Sequence, residues 1–531
     1  MTDETLVAKD AAADETISLE VAVALYCGRG DSEVNFKQAF RTFSVLAETD
    51  QIAAGFVGLM TYLGEGTAPD PEQGRTVLRE LWPQLIKKLP QEPLAATLLG
   101  WAGCDDAITV DDWQPVLQAL RTQTRADGAL AQRVLGLMYA TGTGVHRNSA
   151  HTRSLLQRAA AQGDALAQDR LGLLLHGQDT TAEECKQGTA LFARAAERGL
   201  PLGQLDYAQA LDFGAGVKTD KKEAFKWYRL AARQGLVTAM YDLGIAYLNG
   251  QGTDRDTKKA EKWLLRAVEY GDEDAKVALG EAYLNGFVKG RNAAAALPLL
   301  KETADQGNVR AEYLLARMYL LGSGTEKDTK KAADLFTQAA SNDYGQAQYE
   351  LAILLYSGVG RDQDFPQAKK LLTKAADQGL AEALFSLGIM YKRGEGGPQD
   401  LAQAAVCFQQ AAQQGYSLAQ NSLGAMYKAG EGVPQDEAKA VELFRAAAKQ
   451  GDTMAQSNLG VMYLIGCGLA QDYLKAAKWF RRAAKQGNAE AQYNLGLMYY
   501  KGKGLTQDLT KAAAWIGKAE AQGYRPTEPL R

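Results

Sequence analysis

The chain has 531 residues, long enough for several ordinary domains or one large repeat array, and 46% of them are apolar, which excludes global disorder. Its formal net charge of −4 leaves no basic field of the kind that gathers nucleic acid. No window approaches the ~20 apolar residues needed to span a bilayer, so neither nucleic-acid binding nor membrane insertion is expected.

In chain order, the first twenty residues, MTDETLVAKDAAADETISLE, carry six acids and one lysine and no apolar run beside a basic end. They do not read as a signal or transit peptide. Residues 1–17 are expected to form a disordered acidic tail, and the protein is expected to be cytoplasmic. Arg29–Asp31 spells an adhesion tripeptide but sits in a Gly-x-Gly turn, and reads as a coincidence. The cysteines, Cys27, Cys104, Cys185, Cys407 and Cys467, are odd in number and scattered, which suits a reducing compartment better than a disulfide framework.

Residues 18–128 read as degenerate repeats. VAVALYCGRG, around Ala22, and FVGLMTYLGEG, around Gly58, match the later units loosely, with about six extra residues near LWPQLIKKLPQEP. From Gly100 to Gly496 a 36-residue period then runs without insertion or deletion: AQRVLGLMY at Gly136, AMYDLGIAY at Gly244, AEYLLARMY at Ala316, ALFSLGIMY at Gly388, AQYNLGLMY at Gly496. About fourteen units are expected, the regular ones over 129–523, followed by a tail over 524–531.

Each regular unit has four parts. An apolar run at helical spacing, such as Ala491, Leu495 and Tyr499, marks a first helix with a core face. A Gly-x-Gly turn ends it, because glycine accepts positive φ without a Cβ penalty. An Asp or Asn four places on, such as Asp508, Asp472, Asp436 or Asn148, is placed to cap a second helix; Asp70 is in register too, with Pro71 behind it. The second helix closes at a glycine such as Gly487, replaced once by Asp343, a residue that tolerates the same turn. Paired alanines (Ala447 with Ala448, Ala483 with Ala484) allow close helix approach, and Trp227, Trp263, Trp479 and Trp515 are expected to fill space between layers. One hairpin of this size cannot bury its own apolar face, so the units must stack.

The pattern A-x-x-x-L-G-x-M-Y-x-x-G-x-G-x-x-x-D-x-x-K-A-A-x-W-F-x-x-A-A-x-Q-G resembles the Sel-one-like repeat family, relatives of the tetratricopeptide repeats. The resemblance implies an all-α fold, a right-handed α/α superhelical solenoid, with a concave groove that gathers other proteins. Members of this kind are usually adaptors, including toxin partners and immunity proteins. A cysteine-rich branch of the family is linked to penicillin binding, but here no cysteine recurs at the repeat period.

Candidate chemistry is sparse. The Gly-x-Gly loops follow helices and recur in most units, which suits turns rather than phosphate binding. His146, His151 and His176 have no metal-ligand spacing around them and read as surface or turn residues; Cys407 reads as core filler, and Cys27 and Cys467 as loop residues. The excess of seven positive charges between Lys439 and Lys518 reads as solvated outer faces. No cofactor, metal or catalytic residue is expected.

The informative feature is a second apolar face on the first helices. At 100° per residue, Tyr493, Leu497 and Tyr500 lie opposite Leu495. Through the array this stripe includes Tyr241, Ile245, Leu248, Tyr313, Leu320, Tyr349, Ile353, Tyr356, Phe385 and Ile389. By resemblance these positions line the groove; curvature burying them between units is the competing reading. The expected function is a non-enzymatic scaffold, in a bacterial cytoplasm, that binds a partner protein or peptide there, in one narrower form as a toxin-immunity or regulatory protein. The alternative is a hydrolase acting on cell-wall or β-lactam substrates, with a site assembled across repeats.

Overall fold

The computed structural model describes residues 18–27, 34–67, 69–89, 91–108, 112–177 and 179–524. The acidic tail, the Arg29–Asp31 tripeptide and residues 525–531 lie outside them. The described residues contain twenty-eight helices, α1 to α28 in chain order, and no strand. They pair as fourteen hairpins, an α/α solenoid of stacked repeats, and the chain divides into two compact units, Met1–Arg291 and Asn292–Arg531.

The expected register holds at both irregular places. α1 (Leu19–Cys27) and α2 (Phe36–Leu46) form the hairpin expected around Ala22. The extra residues lengthen α4 (Pro71–Lys88) to 18 residues, with Pro83 inside it, where α12 (Lys221–Arg233) has 13.

The caps form as the residue types dictate. In α28 (Leu509–Ala521) the Asp508 carboxylate accepts from the Lys511 backbone N–H at 2.9 Å, and Asp70 accepts from Gln73 in the same way. Asp343 takes φ 60°, as a glycine substitute must. The two glycines of each Gly-x-Gly turn have different jobs. Gly466 ends α25 (Thr453–Ile465) in the left-handed conformation. Gly468 also has positive φ, but a Cβ there would sit 2.4 Å from the Glu437 carbonyl oxygen at the start of α24 (Glu437–Lys449). Each turn therefore presses on the second helix of the unit before it.

The core is built from buried Leu, Met and paired alanines, with fully buried Phe336, Phe408, Phe444 and Phe480 as its largest side chains in the second unit. The glycine before the Met-Tyr pair admits those rings: a Cβ on Gly388 or Gly460 would meet Phe408 or Phe480 at 2.6 and 2.7 Å. Two expectations are corrected here. The tryptophans Trp227, Trp263, Trp479 and Trp515 are half-buried rather than fully enclosed: Trp479 and Trp515 pack against the core of the layer before them, as expected, with Arg482 and Lys518 over their outer faces. Tyr499 is half-buried, its hydroxyl accepting from Arg481, while Leu495 is fully buried.

A relay of glutamines binds successive hairpins. Gln486, capping α26 (Tyr473–Lys485), donates to the Gln456 side-chain oxygen at 2.9 Å, and Gln456 donates to the Ala448 carbonyl at 3.3 Å. The same relay recurs at Gln450 and Gln420 and at Gln522 and Gln492. It recurs again at Gln378 and Gln348 and at Gln234 and Gln204. It adds a second hydrogen bond to helix-end carbonyls that already accept from the following turn, such as Ala448, which accepts from the Gly451 N–H at 3.2 Å.

Candidate interaction surface

The groove stripe is intermediate between core and open surface. In the second unit Tyr313, Leu320, Tyr349, Ile353, Tyr356, Phe385, Ile389, Tyr493 and Leu497 are all half-buried, and Tyr500 is exposed at 56%. In the first unit Tyr241 and Ile245 are half-buried and Leu248 is buried. The aromatic members also pack across the junction between hairpins. The Tyr313 ring lies 5.3 Å from that of Tyr344, Phe385 lies 5.5 Å from Tyr416, and Tyr493 lies 5.6 Å from Tyr524. Leu497, Leu464 and Asn494 line a cavity of about 270 Å³ rimmed by Lys501 and Lys503.

In the first unit two positions of this register, Trp101 and Arg133, meet the chain's own N-terminal segment. Trp101 and Leu137 occupy the register of Leu497, and Arg133 that of Tyr493. Tyr26 of α1 stacks on Trp101, in α5 (Pro93–Cys104), with ring centres 5.1 Å apart. Arg133, in α7 (Ala129–Thr141), is fully buried. Its guanidinium lies 4.0 Å from the Trp101 ring centre, donates to the Cys27 sulfur at 3.4 Å, and pairs with Asp164 at 3.0 Å. The Val34 N–H donates to the Arg198 carbonyl at 2.6 Å. Cys27, expected in an exposed loop, is therefore buried beneath Arg133.

Beside this seated segment is a cavity of about 630 Å³ walled by Trp101, Leu137, Leu166, Glu65, Asp105 and Arg170. That size suits a small ligand or a few side chains. Glu65 accepts from the Tyr26 hydroxyl. Burial pushes its carboxyl up to about 7, with Asp105 adding to the effect. Further along, Asp169 is fully buried with neither carboxylate oxygen in a hydrogen bond among the described residues. Burial and the facing Asp206 carboxyl hold its pKa well above the ordinary carboxylate range.

Sequence reasoning missed this ionisable cluster because its members come from five different units, and only folding brings them together. His176 lies in a turn, as read from the sequence, but its surroundings were not foreseen. His146 and His151 are exposed as expected, but His176 is half-buried against Phe192 and hydrogen-bonded. No group of three His, Cys, Asp or Glu among the described residues is placed to hold a metal ion, and no described helix is long and apolar enough to cross a membrane.

The Sel1 repeat family model matches eleven consecutive segments, 129–164 through 489–524. Among solved structures, the chain is similar to a protective antigen present in uropathogenic Escherichia coli strains that displays an SLR fold, with 34% identity, 76% of this chain and 86% of that chain covered, and a TM-score of 0.53. It is also similar to a Sel1 repeat protein from Oxalobacter formigenes, at 33% identity over 59% of this chain and 92% of that one, with a TM-score of 0.48. A comparison with curated proteins returned no match.

Proposed function

The chain belongs to the Sel1 repeat family, and from that premise we propose that it is a non-enzymatic scaffold whose second unit holds a helical segment of a partner protein on the stripe from Tyr313 to Tyr500. Sel1 repeats serve in general as protein-binding scaffolds. The observation that carries the reading is the seating of Tyr26 and Cys27 on Trp101 and Arg133: in the first unit these stripe positions bind a short apolar helix, LEVAVALYC, supplied in cis. The corresponding positions of the second unit offer half-buried aliphatic anchors spaced one hairpin apart, the arrangement that receives an apolar helix face. Toxin immunity or another regulatory role is the narrower form of this reading, decided by which protein is bound.

Ile353, Ile389 and Leu497 test it better than the rings, which also support the hairpin junctions. With all three changed to serine, the melting temperature should move by only a few degrees. A partner captured by the unaltered chain, identified and purified, should lose at least ~100-fold in affinity, as expected when hot-spot anchors go. Unchanged affinity for that purified partner would overturn the reading.

A further inference from the structure

The charges on the wall of the first unit's cavity do not pair with one another. Arg133 is buried and answered by Asp164. Arg170, in α9 (Ala165–Leu174), lines the cavity half-buried and makes no hydrogen bond or ion pair among the described residues. Two carboxyls share that cavity: Glu65, in the turn after α3 (Gln51–Leu63), and Asp105, just past the end of α5. Glu65 accepts from the Tyr26 hydroxyl, and neither carboxyl is in an ion pair among the described residues. Charges taken this far from water ordinarily close on a partner.

The backbone keeps these groups apart. Glu65 lies between Gly64 and Gly66, both at positive φ, and a Cβ on Gly66 would overlap the Phe36 carbonyl at the start of α2. The turn is thus pressed onto α2 and cannot slide toward Arg170. Asp105 is fixed by its carbonyl, which accepts from the Tyr62 hydroxyl at 3.0 Å. The wall around them is apolar, with Trp101, Leu137 and Leu166.

We propose that this cavity binds a small apolar zwitterion, an α-amino acid or a short peptide, whose carboxylate pairs with Arg170 and whose ammonium is taken by Glu65 and Asp105. Its side chain lies on Trp101, Leu137 and Leu166. The guanidinium fork matches a carboxylate in shape as well as charge. A ligand with only a negative group would bring a third anion to the two carboxyls, and one with only a positive group would add to Arg170. A molecule carrying both completes the set. The site belongs to the first unit and is separate from the partner stripe of the second.

Protons are linked to this binding. Burial holds the Glu65 carboxyl at about 7; the Tyr26 hydroxyl of α1, Arg133 of α7 and Arg170 of α9 oppose the shift, and Asp105 of α5 adds to it. Burial raises Asp105 as well. Taking an ammonium requires the ionised carboxylate, so affinity rises with pH to about 7 and levels off above it.

The test is isothermal titration calorimetry of the full chain with L-leucine and L-leucyl-L-leucine. The controls are leucinamide, which lacks the carboxylate, and N-acetyl-L-leucine, which lacks the ammonium. At pH 7.5 a zwitterion should bind saturably with a Kd below ~1 mM, within reach of a ligand of this size. Each blocked analogue should bind at least ~10-fold more weakly, the loss expected when one charged hydrogen-bonding group goes. Leucine ahead of leucyl-leucine makes the ligand a free amino acid, the reverse makes it a peptide, and either order supports the site. Arg170→Gln should bring the zwitterion down to the level of leucinamide and leave leucinamide unchanged. From pH 5.5 to 7 the zwitterion should gain at least ~5-fold in affinity, and Glu65→Gln should flatten that gain. The proposal is overturned if neither zwitterion binds, if a blocked analogue binds as tightly as the zwitterion, or if affinity is flat over this pH range. It is also overturned if Arg170→Gln, shown folded by circular dichroism, binds the zwitterion as the parent does.

Discussion

Two glycines with the same backbone sign separate strain from crowding. Gly468 has φ 68° and the Glu437 carbonyl in the way of a Cβ, whereas Gly487 has φ 91° and nothing within 4 Å. Both alanine substitutions cost the left-handed strain, of order 1 kcal/mol. Gly468→Ala should cost measurably more than Gly487→Ala in urea unfolding, and equal costs would refute the close approach. The buried glutamines make a second case. Gln456→Ala removes the receiver of Gln486 and the donor to Ala448 together. An expected loss of about 1–3 kcal/mol, on the same measurement, follows from removing two hydrogen bonds at the junction, each worth roughly 0.5–1.5 kcal/mol. The glycines were legible from the sequence because turn chemistry is local. The glutamine relay was not, although AQ and QG recur at the repeat period, because its bonds join residues 30 positions apart.

At the scale of elements, capping made the hairpins readable. Asp436 caps α24 by accepting from the Lys439 N–H at 2.9 Å, and Asp436→Ala should cost ~1 kcal/mol. α1 is the element that sequence reasoning placed but could not interpret. Its register is that of a first helix, yet Tyr26 reaches Trp101 and Cys27 reaches Arg133, contacts no hairpin rule contains. Tyr26→Ala should detach this segment and expose Trp101, now 5% accessible, seen as a red shift and gain in quenching of tryptophan fluorescence. An unchanged spectrum would show that the stacking does not hold the segment down.

Across the whole molecule, the first unit carries a pH dependence of its own. The Glu65 carboxyl is raised to about 7 in the folded chain, and it lies near 4.3 when unfolded. The protonated form is thus favoured by folding, and its contribution is full below about pH 4.3 and lost as pH rises through about 7. Asp242, raised to about 6 by burial, acts in the same direction. The melting temperature of the transition that includes this unit should fall between pH 5 and pH 8, and Glu65→Gln should flatten that fall; an unaltered slope would exclude Glu65 as its source. By itself the sequence determined the period, the hairpins, their caps and the paired-alanine core, because helix propensity, turn chemistry and periodicity act within some 36 residues and repeat. Tertiary structure alone decided what each copy of the stripe meets. α1 meets it at Trp101 and Arg133, and the Tyr344 and Tyr416 rings flank it in the second unit. Identical register positions acquire different chemistry once distant segments pack on them, and period alone carries no record of that packing.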